Sequence, residues 1–407
     1  MRCSRGCARS RACRISDTSS WGAHPIADVR ALPGIRYRLA SAGNASTLVA
    51  PPYDVISASD LSRYEALSPF NVVHLTRPGT DYQKAARTFE EWDGRGILQA
   101  DEPSMYVHEV IFNGRRRHDL IAALRLQPYQ DRMVLPHERT HRGPKEDRLA
   151  LMRATHVSLE PLWFVYEGRA SGVPQIADVV SKRAPAVAFI GPEGFEHRLW
   201  TITDPVIHAA VHAAFESMPV LIADGHHRYE TALAYADQVA GPADASSRFT
   251  LALFTDIDDP GLEVLPTHRV LKAGVRVTGG EDVPSLEATL AGLRGRVAAG
   301  VYQDSRFQVL PMEGDVALVE LHKQVIDNIL GKRNPEDFVL YTRDAAEAMR
   351  WVDEGVGVEA FFLDAPDLKQ VLQLAREGKT LPQKSTYFYP KPPSGMVFLR
   401  LDPNRRL

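Results

Sequence analysis

The chain has 407 residues, of which 44% are hydrophobic and 24% are charged, as expected for a soluble globular protein of one or two domains. The formal net charge is −3, which disfavours a surface for nucleic acid or another polyanion. No apolar run approaches the roughly 20 residues that a membrane helix needs, so we expect no contact with the membrane.

The three cysteines, Cys3, Cys7 and Cys13, all lie near the start of the chain. Neither disulfide bonds nor a thiol nucleophile can support the remaining chain, which fits a reducing compartment and predicts a cytoplasmic location. Residues 1–20 also hold five arginines but no apolar core of a signal peptide, and we interpret them as a disordered basic tail. A transit peptide and a start codon placed too early are the alternatives.

The first candidate for a ligand-facing loop follows Pro51 and Pro52. The two prolines fix an extended backbone and leave Tyr53 and Asp54 on a rigid loop. This loop is either a plain turn or part of a ligand site. Under the second interpretation, Tyr53 and Asp54 bind a substrate.

Residues 21–270 predict an α/β core. An amphipathic helix is expected over 80–98, and strands 106–112 and 115–126 flank a type I′ turn at Asn113-Gly114. A hairpin of this length favours an antiparallel or mixed sheet over a purely βαβ architecture. Further strands are predicted over 159–166, 186–190, 198–202 and 248–254, with a helix that opens at Asp204-Pro205.

A polar cluster lies at 135–149, where a loop rich in ionisable groups runs into a helix. Pro144 suits the first position of that helix. Loops of this composition are often only solvated, but a carboxylate beside an imidazole, as in His137 and Glu138, is suited to general-base work. The candidate site residues of this cluster are His137, Glu138, Thr140, Lys145 and Arg148.

The rest of the chain is organised around a corner at 219–240. The apolar run 220–223 predicts a buried strand, and the helical spacing from Tyr229 onward predicts a helix. Such a helix directs unpaired N–H groups and the positive end of its dipole at whatever the corner binds. Two histidines and an arginine are a poor choice beside a helix N-terminus unless an anion offsets them, so the sequence favours a phosphate site over a solvated first turn. The residues of the corner are Asp224, Gly225, His226, His227 and Arg228.

Residues 271–407 predict a mainly helical region with a returning C-terminal strand over 396–401. Helices are expected over 286–297, 318–329, 345–352 and 366–377. The segment 381–395 carries Lys384, Ser385 and Thr386, an ammonium and two hydroxyls that suit an anion, although a tail packed on the surface is the alternative.

Three separated motifs, at 51–56, 223–232 and 382–391, together carry a resemblance to a known family. In this order and at these separations the chain resembles a bacterial member of domain of unknown function family 1015, over about residues 22–402. The loop at 137–148 also fits that family. The corner is similar to the signature of the ParB/sulfiredoxin-like fold, which includes nucleotide-dependent kinases of free serine. The resemblance therefore implies an α+β fold with a mixed or antiparallel sheet core of that type and flanking helices.

The resemblance also implies roles for particular residues. Gly225, His226, His227 and Arg228 would grip phosphate, and Asp224 would lie by the metal or the transferring group. The serine kinases use a glutamate near the N-terminus as general base, and residues 21–57 contain none, so Asp54 or Glu138 would have to substitute. Sulfiredoxin chemistry is disfavoured because its cysteine would fall at His226. The expected catalytic residues are Asp224, His226, His227 and Glu138; the expected phosphate ligands are Gly225, Arg228, His137, Thr140, Lys145, Arg148, Lys384, Ser385 and Thr386; and the expected substrate ligands are Tyr53, Asp54 and Tyr229.

The leading functional hypothesis is a nucleotide-dependent phosphotransferase for a small hydroxylated metabolite, with free L-serine as the first candidate. Phosphoryl transfer depends on positioning and charge neutralisation, which this set of residues can supply. The expected cofactors are ATP, ADP or another nucleotide with Mg²⁺, which would bridge the nucleotide phosphates and bind only one or two carboxylates of the protein. The alternatives are a ParB-like nucleotide-binding switch or NTPase, and a phosphohydrolase. The oligomeric state is left open.

Overall fold

A computed structural model describes residues 26–138, 143–273, 277–331, 333 and 335–407, with only the backbone at 143–145 and 336. The predicted basic tail, 1–20, lies outside the described residues. The strands are β1 (Val29–Arg30), β2 (Ile35–Tyr37), β3 (Leu98–Ala100), β4 (Met105–Phe112), β5 (Arg115–Arg125), β6 (Val134–Leu135), β7 (Val157–Ser158), β8 (Leu162–Tyr166), β9 (Val187–Ile190), β10 (Glu196–Ile202), β11 (Val220–Asp224), β12 (Phe249–Asp256), β13 (Glu263–Leu265), β14 (His268–Leu271), β15 (Glu281–Val283), β16 (Ala298–Gln303), β17 (Arg306–Pro311), β18 (Val339–Thr342), β19 (Glu359–Phe362), β20 (Tyr387–Tyr389) and β21 (Leu399–Arg400).

The helices belong to both halves of the chain. They are α1 (Leu39–Ala42), α2 (Ala58–Leu67), α3 (Val73–Thr76), α4 (Tyr82–Gly94), α5 (Gly143–Thr155), α6 (Val173–Val180), α7 (Pro205–Phe215), α8 (His226–Gln238), α9 (Leu286–Leu293), α10 (Ala317–Leu321), α11 (Asp327–Leu330), α12 (Pro335–Phe338), α13 (Ala345–Asp353) and α14 (Leu368–Arg376). None of the helices in the described part of the chain is both long and apolar enough to cross a bilayer.

The main sheet is mixed, as the sequence predicts. In the described residues it has nine strands in the order β6–β11–β8–β12–β5–β4–β10–β9, with β1 also pairing with β5. The pairs β6–β11 and β8–β12 are parallel and the other pairs are antiparallel. The predicted hairpin is confirmed: β4 and β5 join at Asn113 and Gly114, which both have positive φ as a type I′ turn requires.

Both faces of the main sheet are buried. Along β12, Ala252 and Phe254 pack into one core cluster with α7 and α8, while Leu251 and Leu253 pack into another with α14 and the C-terminal segment. Because successive side chains of a strand point to opposite faces, a strand buried on both sides is a continuous apolar run, as 251–254 is. The chain therefore forms an α+β fold with helices on both faces of this sheet.

The prediction of a mainly helical region after residue 270 is wrong. The described residues there form a six-stranded antiparallel sheet, in the order β15–β17–β16–β19–β14–β18. Helices α9 and α13 cover one face and α10 with α11 covers the other. These strands are only three to six residues long, so their period of two is weak beside the 3.6-residue spacing of the helices between them.

The core of this second sheet generates a stability prediction. Phe361 on β19 is fully buried, and we expect Phe361→Ala to lower the unfolding free energy by about 3–5 kcal/mol because it removes apolar contacts and leaves a cavity. Chemical denaturation followed by circular dichroism measures the change. The control is Val206→Ala on α7, where the native side chain is 75% exposed and the expected change is within about 0.5 kcal/mol. Equal unfolding curves for the two variants would contradict the prediction.

Candidate functional site

The corner forms where β11 ends and α8 begins, as the sequence predicts. The last residue of β11 is Asp224 and the first of α8 is His226. Between them Gly225 has a φ of 100°, and a Cβ atom there would lie 2.8 Å from Cδ2 of Leu162. Only glycine fits this conformation and this close approach. No side chain caps α8, and residues 225–228 at its N-terminus line the space in front of the corner.

A cavity of about 460 Å³ opens in front of this corner. Four segments that are far apart in the sequence line it: the loop after Pro52, the end of β6, the corner, and the chain around β20. We call it the corner cavity. Its lining residues are Tyr53, Asp54, Val55, Glu138, Ala223, Asp224, Gly225, His226, His227, Arg228, Gln383, Lys384, Thr386, Tyr387 and Lys391.

A cluster of opposite charges forms the floor of the corner cavity. Oδ2 of Asp224 accepts a hydrogen bond from Nη2 of Arg228 at 2.6 Å, and Oδ1 accepts one from Nζ of Lys391. Nζ of Lys391 also lies 4.0 Å from Oδ2 of Asp54. Burial by itself raises the pKa of Asp224, but Lys391 and Arg228 outweigh it and hold that pKa below its usual range. Burial likewise lowers the pKa of Lys391, and Asp224 outweighs it and raises that pKa. Asp224, Arg228 and Lys391 are therefore all ionised at neutral pH.

Two histidine rings pack together beside the corner. His226 lines the corner cavity, whereas His137 is buried behind it, so the expected contact of His137 with phosphate is not supported. Nε2 of His226 accepts a hydrogen bond from the backbone N–H of His137 at 3.3 Å, and the two rings meet edge to face at 4.7 Å. Nε2 of His137 hydrogen-bonds to Oγ1 of Thr386 at 2.7 Å. Burial lowers the pKa of both rings. His226 is therefore neutral, and its proton lies on Nδ1, so it offers a hydrogen-bond donor rather than a cation.

Glu138 holds residues 381–395, which we call the returning C-terminal segment, in place. Its carboxylate accepts hydrogen bonds from the backbone N–H groups of Ser385 at 2.8 Å and of Lys384 and Thr386, both at 3.2 Å. A carboxylate with both oxygens engaged in this way is poorly placed to take a proton from a substrate. The geometry therefore favours a structural role for Glu138 over the expected role as general base.

Several other expected site residues lie away from the cavity. Tyr229 is fully buried in the main core, because with Ala232 and Ala236 it forms the apolar stripe of α8; its hydroxyl bonds to Gln127. The hydroxyl of Ser385 is also turned away from the cavity, since it is buried and donates to the carbonyl of Pro382. The expected roles of Tyr229 and Ser385 as ligands are therefore not supported.

Arg148 supports the cavity wall from behind. Its guanidinium lies 4.2 Å from the centre of the Tyr53 ring and donates to Asp147 at 2.7 Å and to the carbonyl of Thr76 at 2.9 Å. It orients Tyr53 and does not line the corner cavity, so its expected contact with phosphate is not supported. Thr140 and the side chain of Lys145 lie outside the described residues.

Lys391 is a charged cavity residue that the sequence analysis does not assign to the site, although it belongs to one of the motifs. The signal was present: Lys391 is a single cation between Pro390 and Pro392. Prolines on both sides fix an extended backbone around one side chain, as they do before Tyr53 and Asp54.

The family described as Protein of unknown function (DUF1015) matches residues 29–360 of the chain. The chain belongs to this family. The predicted family is thus confirmed, while the ParB/sulfiredoxin-like type of its fold stays a prediction. No curated protein matches the chain.

Similar solved structures include a free serine kinase in complex with AMP, with 15% sequence identity and a TM-score of 0.37 over 63% of this chain and 84% of that chain. A conserved hypothetical protein from Pyrococcus furiosus has 17% identity and a TM-score of 0.38 over 66% and 93%. A C-terminally truncated SbnI from Staphylococcus aureus has 11% identity and a TM-score of 0.36 over 66% and 82%. A likeness at this level does not transfer a function to the chain.

The burial of Tyr229 predicts a cost in stability for Tyr229→Phe. The hydroxyl donates to the carbonyl of Gln127 at 2.8 Å and accepts from its N–H at 3.1 Å, so its loss leaves buried polar groups without partners. We expect the unfolding free energy to fall by about 1–3 kcal/mol, as measured by chemical denaturation. The control is Tyr302→Phe, where the hydroxyl donates at 2.6 Å to the exposed carboxylate of Asp353, which water can solvate in its place. A larger loss of stability at Tyr302 than at Tyr229 would count against this assignment.

The neutral state of His226 predicts a pH dependence. Burial holds its pKa well below the ordinary value of about 6.5, so the unfolded chain takes up a proton below that pH and the folded chain does not. Stability therefore falls as the pH falls below about 6.5. We expect His226→Gln, which keeps an acceptor for the His137 N–H, to remove up to about 1.4 kcal/mol per pH unit of that fall. Denaturation curves between pH 5 and 7 measure the slope, and an unchanged slope would rule out a neutral buried His226.

Proposed function

We propose that the corner cavity binds the phosphates of a nucleotide and transfers a phosphoryl group to a small hydroxylated metabolite, with free L-serine as the first candidate acceptor. One observation carries the proposal: the N-terminus of α8, the Asp224–Lys391–Arg228 cluster and the carboxylate of Asp54 meet in a single cavity. We also propose that the fold is of the ParB/sulfiredoxin-like type, which accords with the resemblance of the corner motif.

Phosphate binding would rest on the first turn of α8. Its N–H groups and the positive end of its dipole favour an anion in front of Gly225, where a missing Cβ permits close approach. Lys384 lines the cavity with an exposed side chain, and Lys391 has ammonium protons beyond the one that it donates to Asp224. His226 would add a neutral donor. These groups offset the negative charge of the phosphates, although Asp224 already neutralises part of the positive charge of the cluster.

The transfer step requires a base for the acceptor hydroxyl and positive charge at the transferring group. Asp54 suits the first task because its side chain is 44% exposed and points to the cavity within 4.0 Å of Lys391. Lys391 suits the second task because Asp224 keeps it charged and in place. Among the candidate bases, Asp54 is thus favoured over Glu138, whose oxygens are occupied by backbone N–H groups.

Magnesium fits this arrangement as an ion carried mainly by the nucleotide. The described residues contain no group of three histidine, cysteine or acidic side chains that could hold a metal ion. Each carboxylate oxygen of Asp224 accepts one hydrogen bond, from Arg228 or from Lys391. Its other lone pairs remain available to a magnesium ion that arrives with the nucleotide phosphates. The ion would neutralise charge on the phosphates, and Asp224 is the residue that would hold it.

The proposal predicts a new phosphomonoester. The protein is incubated with ATP or ADP, Mg²⁺ and L-serine, and phosphorus NMR is used to detect phosphoserine. We expect Lys391→Met to lower kcat/KM by about 10²–10³-fold, the usual effect of removing one preorganised group that stabilises the transition state. Lys379→Met, which removes an exposed lysine that pairs with Glu377, should leave the rate unchanged.

The other outcomes distinguish the alternatives. Free phosphate without phosphoserine indicates a phosphohydrolase or NTPase. Nucleotide binding without turnover, measured by calorimetry, indicates a ParB-like switch. Failure to bind either nucleotide would overturn the assignment of the corner cavity as a phosphate site.

A further inference from the structure

A row of buried polar side chains crosses the main sheet beneath the returning C-terminal segment. It runs from strand to neighbouring strand through Trp163 on β8, Thr255 on β12, Asp119 on β5, His108 on β4 and His197 on β10. Nε1 of Trp163 donates to Oγ1 of Thr255 at 2.7 Å, and that hydroxyl donates to Oδ1 of Asp119 at 2.5 Å. Nδ1 of His108 bonds to Oδ2 of Asp119 at 2.8 Å, and Nε2 of His108 bonds to Nδ1 of His197 at 2.9 Å.

Arg117 lies on top of this row and is fully buried. Its Nε and Nη2 donate to the two oxygens of Asp119 at 2.9 and 3.1 Å, and its guanidinium lies 4.4 Å from the centre of the Trp163 ring. Two bonds to a carboxylate and a stacked ring leave the planar group no other orientation. The third nitrogen, Nη1, donates at 2.7 Å to the carbonyl of Pro390.

Pro390 immediately precedes Lys391, so this bond fixes the backbone that carries the cavity cation. The polar row also begins at the corner, because Trp163 pairs with Asp224 across β8 and β11. The main sheet thus carries Asp224 at the end of β11, and through Arg117 it also holds the backbone next to Lys391. Other contacts anchor the same segment farther away: Phe388 packs on Trp163 at 5.7 Å, and Oγ of Ser394 donates to Glu160 at 2.7 Å.

Stability alone does not account for a charged pair at this position. Replacing a buried ion pair by neutral side chains is often neutral or stabilising, because burial removes both charges from water. A buried ion pair is better explained by the one conformation that it permits. Here the Arg117–Asp119 pair fixes the conformation of the backbone that carries Lys391.

We propose that Arg117 is a positioning residue of the corner cavity: held by Asp119 and Trp163, it binds the carbonyl of Pro390 and thereby sets Lys391 against Asp224. The catalytic part of this inference rests on the proposed phosphotransferase function. The placement of Lys391 does not rest on it.

The test removes the two charges together. Arg117→Met alone leaves Asp119 buried and unpaired, which can prevent folding. The double variant Arg117→Met/Asp119→Asn is neutral and keeps an acceptor for Thr255, while the bond to Pro390 is lost. The matched control is Arg125→Met/Asp28→Asn. It removes a pair of 2.7 Å between an arginine of the same strand, β5, and a carboxylate next to β1, neither of which contacts residues 381–395.

Two measurements are made on the full chain. The rate at which acetic anhydride modifies Lys391 is followed by peptide mass spectrometry, since the native side chain is only 10% exposed and bonded to Asp224. We expect the Arg117/Asp119 variant to react at least about tenfold faster, the change that one unit of pKa produces. We also expect its kcat for phosphoserine formation to fall by about 10²-fold, the usual effect of a misplaced reacting group, with a smaller change in the KM for the nucleotide.

The control variant should match the native protein in both measurements. A native modification rate in the Arg117/Asp119 variant would overturn the positioning role, whatever its activity. Faster modification of Lys391 with an unchanged kcat would overturn the catalytic part. If the native protein makes no phosphoserine, the proposed function fails, and the modification rates still decide whether Arg117 places Lys391.

Discussion

The structure of the site depends on one ionised carboxylate, Asp224. It lies at the last residue of β11 and is bonded to both Arg228 and Lys391. Without it, two largely buried cations would lose the carboxylate that they share, and breaking a buried ion pair in this way costs about 3–5 kcal/mol. The ion cluster therefore ties the start of α8 to the returning C-terminal segment, and the cavity exists only where these two meet.

Both sheets contribute to holding that segment. From the first half of the chain, Glu138 accepts the N–H groups of 384–386. From the second sheet, Arg269 on β14 donates to the carbonyl of Lys384 at 2.9 Å, and burial lowers the pKa of its guanidinium to about 10. Strand β20 then pairs with β13. The second sheet thus acts on the cavity through the backbone that it holds in place.

The charge state of the groups at the corner cavity suits the binding of an anion. Lys391 and Arg228 are paired but remain ionised, and the buried histidines are neutral. Such a site offers directed donors without a large uncompensated charge, and this suits an anion that brings its own cation. The carboxylate of Asp54 differs from these buried groups, because its side chain is 44% exposed at the cavity.

Local structure could be predicted wherever the signal lies in neighbouring residues. The turn at Asn113 and Gly114 and the strand, glycine and helix of the corner follow from φ preferences and apolar periodicity, so they were predicted correctly. The second sheet was missed because its short strands carry little periodic signal. Tyr229 was misassigned because its neighbours are polar, whereas its angular position on α8 turns it into the core.

By itself, the sequence determined the family motifs, the corner and the chemical kinds of group that surround it. Only the tertiary structure decided which of these groups act together. The distance between Asp224 and Lys391 along the chain is far beyond the reach of any local rule, and the engagement of Glu138 by backbone N–H groups depends on a segment that returns from the opposite end of the chain. Pairings of this kind are set by packing between distant elements, which a one-dimensional pattern does not contain.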